Sequence, residues 1–113
     1  MVDKLKETPF RRFDIVLVKL NPTVGSEIQK TRPCIIISPN EMNILRTIII
    51  APMTSKGFDF IFRPNIKFEG KNGLVLLDQI RAVDKSRIIK KIGVVDKIKS
   101  KEISRILMEM FEY

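Results

Sequence analysis

The sequence contains no histidine, no tryptophan and a single cysteine, Cys34. These absences exclude a zinc site of Cys and His ligands and any catalytic pair in which an imidazole activates a thiol or a hydroxyl. Acid–base chemistry by imidazole near neutral pH is excluded with them. One Cys cannot close an internal disulfide, and residues 1–14 are charged throughout, without the apolar segment of a signal peptide. The expected compartment is therefore the cytoplasm. The longest apolar runs, such as Ile48–Met53, fall far short of the ~20 residues that cross a bilayer. No membrane span, metal or cofactor is expected.

What is present argues for one domain over residues 1–113, with 44% hydrophobic residues to build a core and 30% charged residues to keep it in water. Lys and Arg number 21 against 13 Asp and Glu, a formal charge of +8. Eight of the basic residues lie between Arg81 and Lys101, where only Asp84 and Asp96 oppose them, so this segment carries +6 of the total. A polyanion fits such a charge, although solubility alone accounts for it equally well.

The apolar pattern predicts strands at Phe13–Leu20, Cys34–Ser38, Thr47–Ala51, Phe58–Arg63, Leu74–Ile80 and Arg87–Ile92, each bounded by Pro, Gly, Asn, Asp or Ser. Ile35-Ile36-Ile37 and Ile48-Ile49-Ile50 are apolar at consecutive positions, which predicts strands covered on both faces. Ile103, Ile106, Leu107, Met110 and Phe111 follow the i, i+3, i+4 spacing of one helix face, with Ser100 as the expected N-cap and Glu102 in the first turn.

Chemistry is sought in the loops. Residues 21–33 form a long connection, and Pro33 biases Arg32 toward extended backbone at the start of the second strand. Pro52-Met53-Thr54-Ser55-Lys56-Gly57 offers two hydroxyls and an ammonium to a phosphate. Both also have plain structural readings, as a strand start with a surface salt bridge and as a turn. Asp78 and Gln79, late in an apolar run, must find partners or face a cleft.

Taken in order, these residues resemble the MazF/PemK family of toxin endoribonucleases. The resemblance is carried by Asp14-Ile15-Val16, Gly25-Ser26-Glu27 with Arg32-Pro33, Ile36-Ile37-Ser38-Pro39-Asn40, Thr54-Ser55-Lys56-Gly57 and the run from Asp78 to Arg87. It implies a mainly β fold, a small Src-homology-3-like barrel of the MazF/CcdB type with a C-terminal helix, assembled as a homodimer. It implies metal-independent, sequence-specific cleavage of single-stranded RNA by the RNA's own 2′-hydroxyl, leaving 2′,3′-cyclic phosphate and 5′-hydroxyl ends. It also implies inhibition by an acidic, MazE-like antitoxin.

By motif, Arg32 and Thr54 are the catalytic candidates; Ser26, Ser55, Lys56, Gln79 and Arg81 are RNA contacts; and Glu27 and Asp78 are the carboxylates available for proton transfer. Arg32 is a poor base and a good bidentate partner for charge on phosphate oxygens, and Thr54 can donate to the same group. The sequence departs from the family pattern in having Phe13 where Gly precedes the first-strand Asp. Relatives similar to PemK use an Asp, an Arg and a His, of which only Asp78 is matched here; Ser26 and Leu76 stand at the other two positions. A CcdB-like barrel that inhibits a protein such as gyrase is the alternative on the same fold, and a duplex-DNA-packaging barrel is a third. The CcdB-like inhibitors carry a Trp near the C-terminus, and this chain ends Met110-Phe111-Glu112-Tyr113.

Overall fold

The described residues form seven strands, the longest of them built on the Val- and Ile-rich runs. In the computed structural model, which describes residues 10–113, β1 (Asp14–Lys19), β2 (Thr31–Ile36) and β3 (Thr47–Thr54) pair antiparallel in chain order. The charged N-terminal stretch on which the missing signal peptide was read lies largely outside the described residues. β7 (Ile88–Val94) takes the other edge of β1. β6 (Arg81–Asp84) pairs with the first half of β3 and β5 (Lys71–Val75) with its end, while β4 (Asn65–Phe68) adds to β5. The result is a curled half-barrel, mainly β, carrying one C-terminal helix, α1 (Lys97–Phe111). No helix among the described residues is long and apolar enough to cross a membrane.

The consecutive apolar positions divide between two buried clusters because successive strand residues face opposite ways. Ile35 and Ile37 join Ile15, Ile66, Val75 and Leu77 beneath Ile103 and Ile106 of α1. Cys34 and Ile36 join Val16, Val18, Leu20, Ile48, Ile50 and Val83. The sheet curls far enough for β7 to meet β4: a Cβ on Gly93 would stand 3.0 Å from the Phe68 ring. Asp14, buried at the start of β1, accepts from the Arg11 N–H and pairs with Lys91 of β7, tying the two strands together.

The structure corrects several expected elements. Phe58–Arg63 is not a strand: Phe58 and Phe60 project into solvent, and only Phe62 reaches the core. The expected strand at Leu74–Ile80 begins at Lys71 and ends at Val75, and Leu77–Gln79 is a 3₁₀ turn leading into β6, an element absent from the expected set. The N-cap of α1 is Asp96, whose carboxylate accepts the Lys99 N–H at 2.8 Å. Ser100 lies inside the helix with its hydroxyl donating to the Val95 carbonyl, and Glu102 pairs with Lys99.

Candidate functional site

Arg32 is the second residue of β2, opposite Val18, and Thr54 is the last residue of β3, opposite Leu74. Two different strands thus bring both to one cavity of about 220 Å³, with Ser55 beside them. The far wall is the β4–β5 hairpin, which contributes Phe68, Glu69, Lys71, Asn72 and Gly73. Glu69 and Gly70 turn this hairpin with φ of 51° and 77°, the double positive φ of a type I′ turn. Gly73 permits its approach to β3: a Cβ there would stand 2.7 Å from the Thr54 carbonyl oxygen.

Local bonds prepare both polar groups. The Arg32 Nε donates to the Gln29 carbonyl at 3.2 Å, orienting a guanidinium that carries four further N–H donors. Among the described residues Arg32 forms no salt bridge. The Thr54 Oγ1 accepts the Lys56 backbone N–H at 3.1 Å, so the hydroxyl hydrogen is left for another acceptor. An anion in the cavity would meet a fixed cation and a hydroxyl donor.

Glu27, Asp78, Gln79 and Arg81, also singled out in the sequence, gather in a second cavity of about 220 Å³ with Leu20, Ile28, Pro52 and Ile80. Here their polar atoms hold the chain. Gln79 accepts the Ile28 N–H at 2.8 Å, and Arg81 donates to the Leu20 carbonyl at 3.2 Å. Glu27 accepts the Val24 N–H at 2.6 Å within its own turn. Together with Arg87, which donates to the Lys19 and Asn21 carbonyls, these bonds latch the β1–β2 connection onto the segment that follows β5. Ser26 and Lys56 are exposed, outside both cavities.

Asp78 is joined to Arg63, and the guanidinium's hydrogen bonds hold its carboxyl below the usual range against the opposing effect of burial. Cys34 lies buried in β2, where desolvation pushes its thiol up to about 12, so it offers no thiolate. Among the described residues, five of the eight basic residues between Arg81 and Lys101 find local partners: Arg81, Lys85 and Arg87 on carbonyls, Lys91 on Asp14 and Lys99 on Glu102. Much of the charge that the sequence assigned to a polyanion therefore fastens loops and strands.

Sequence reasoning missed the hairpin wall. Residues 64–73 fall between two of the expected strands, yet Glu69-Gly70 ahead of Lys71-Asn72-Gly73 is a turn signal, obscured by the short flanking runs.

The chain is a curled antiparallel half-barrel with a C-terminal helix, and Arg32 and Thr54 line one of its cavities. Residues 11–111 match the family model described as "PemK-like, MazF-like toxin of type II toxin-antitoxin system". Among similar sequences, Endoribonuclease MazF of Staphylococcus saprophyticus is 31% identical over 104 residues, covering 86% of this chain and 87% of the relative. Endoribonuclease toxin ChpB of Escherichia coli is 33% identical over 96 residues, covering 79% and 83%. Among solved structures, MazF of Deinococcus radiodurans superposes with a TM-score of 0.80 at 21% identity, over 92% of this chain and 97% of the other. An endoribonuclease in complex with its cognate antitoxin from a mycobacterial species gives 0.74 at 17% identity, over 88% and 92%. The chain belongs to the PemK-like, MazF-like toxins of type II toxin–antitoxin systems.

Proposed function

We propose that this toxin is an endoribonuclease that cleaves single-stranded RNA at a short sequence, using the RNA's own 2′-hydroxyl as nucleophile and no metal. The observation that carries the reading is the meeting of Arg32 and Thr54, from two strands, in one cavity. The names of two relatives, both endoribonucleases, support it. In the reaction the 2′ oxygen attacks the adjacent phosphorus and the 5′ oxygen leaves, so negative charge grows on the non-bridging oxygens. Arg32 meets that charge with paired N–H donors, and Thr54 adds a hydroxyl donor. The products are a 2′,3′-cyclic phosphate and a 5′-hydroxyl.

The partners that follow are single-stranded RNA, a second copy of the chain, and an acidic antitoxin segment that occupies the basic surface when RNA is excluded. Solved relatives described as MazE–MazF and as an endoribonuclease with its cognate antitoxin support the last of these. The reading is tested by single-turnover cleavage of RNA with wild type and Arg32→Ala. A folded Arg32→Ala should be slower by at least ~100-fold, as expected for loss of a transition-state donor. A folded variant cutting at the wild-type rate would move Arg32 out of the site.

A further inference from the structure

The two carboxylates that the sequence offers for proton transfer both stand in the second cavity, where Asp78 is held by Arg63 and Glu27 accepts the Val24 N–H. The cavity of Arg32 and Thr54 has one carboxylate in its lining, Glu69. Glu69 occupies the first corner of the β4–β5 turn with φ 51°, a left-handed conformation that glycine adopts freely and other L-residues resist. A side chain kept in unfavourable backbone at the rim of a polar cavity points from strain toward use. The other charged residues that line the cavity are Arg32 from β2 and Lys71, at the start of β5 in the same hairpin. β3 presents Met53 and the Thr54 hydroxyl, Ser55 follows it with a second hydroxyl, and β4 adds the apolar Ile66 and Phe68.

We propose that Glu69 is the proton acceptor of the cleavage reaction, an inference that rests on the RNA-cleaving reading above. The carboxylate takes the proton of the 2′-hydroxyl as that oxygen's electron pair forms the bond to phosphorus. The bond from phosphorus to the 5′ oxygen breaks with its pair on that oxygen, which takes a proton from water. Protonated Glu69 returns its own proton to the solvent, and the enzyme is restored. Arg32 and Lys71, which line the same cavity, draw the phosphate toward it.

The test is single-turnover cleavage across pH 4 to 8 by wild type, Glu69→Gln and Glu69→Gly, with thermal unfolding of each. Glu69→Gln should lower kcat by about 100-fold or more with KM little changed, and the fall of rate on the acid side should vanish. Glu69→Gly relaxes the turn, so it should unfold no earlier than wild type, cut as poorly as Glu69→Gln, and recover part of its rate when acetate is added. Wild-type cleavage with an undiminished Glu69→Gln rate, an unchanged acid limb, or a loss confined to KM would overturn the assignment while leaving the cleavage reading intact. Wild type that leaves RNA uncut would overturn both.

Discussion

Arg63 and Asp78 are joined by two parallel hydrogen bonds, Nε to Oδ1 at 3.0 Å and Nη2 to Oδ2 at 2.9 Å. The same guanidinium lies 4.8 Å from the centre of the Phe58 ring, and Phe58, Phe60 and Phe62 follow one another edge to face. Asp78, on the turn between β5 and β6, therefore pins the segment after β3 against the barrel. This pairing explains why an alternating aromatic run folds as an anchored loop. A strand would line Phe58, Phe60 and Phe62 along one face, and here the three meet one another and Arg63 without strand pairing.

The pair is partly exposed, so solvent screens it and Asp78→Asn should cost about 1 kcal/mol at neutral pH. Because the Asp78 carboxyl is held below its ordinary value, folding favours its ionised form. The contribution is complete above the unfolded carboxyl's pKa, about 4, and is lost as pH falls through the lower folded value. Urea unfolding at pH 7 and pH 3 should show the gap between wild type and Asp78→Asn narrowing in acid. A gap that stays constant would contradict the ion pair as its source.

Phe13 adopts φ 70° at the entry to β1, with its N–H donating to Ile36 and its carbonyl accepting from Val95. Glycine fits this conformation without strain, while the Phe13 ring packs on the core beneath the Arg12 guanidinium. Both Phe13→Ala and Phe13→Gly lose the ring, and only the second relieves the backbone. Phe13→Gly should thus be the more stable of the two by about 1 kcal/mol, the reverse of the order in ordinary extended or helical backbone. Equal stabilities in chemical denaturation would count against strain at this position.

Gly73 lets β5 lie against the Thr54 carbonyl, where a Cβ would come within 2.7 Å of backbone that has no flexible end to yield. Gly73→Ala should cost about 1–3 kcal/mol and shift Thr54 away from Arg32. RNA cleavage should fall at least tenfold at temperatures where the variant remains folded. Full activity in the folded variant would show that the cavity does not depend on this contact.

The barrel was legible because β-branched residues cluster in short runs with clear punctuation, and the family motifs order those runs. The β4–β5 hairpin was not, since Asn65–Phe68 and Lys71–Val75 are short, polar at several positions and stabilised by pairing to each other and to β3. Arg32 and Thr54 come from the motifs, Arg32 at an expected strand start and Thr54 in an expected loop; β3 runs on to Thr54 and so carries it to the same cavity as Arg32. Gln79 and Arg81 were named as RNA contacts, yet each bonds backbone in the β1–β2 connection across more than 50 residues, contacts that no local pattern encodes. Glu69 escaped notice because a glutamate before a glycine reads as a turn and nothing more.

The most direct measurement uses an RNA oligonucleotide containing the chain's preferred site, prepared with either a ribose or a single 2′-deoxyribose on the 5′ side of the scissile phosphate, both incubated in EDTA. The ribose substrate should be cut to a 2′,3′-cyclic phosphate and a 5′-hydroxyl, and the deoxy substrate should remain whole. Cleavage of the deoxy substrate at the same bond, or a ribose substrate left intact by folded protein, would contradict attack by the RNA's own hydroxyl at the Arg32–Thr54 cavity.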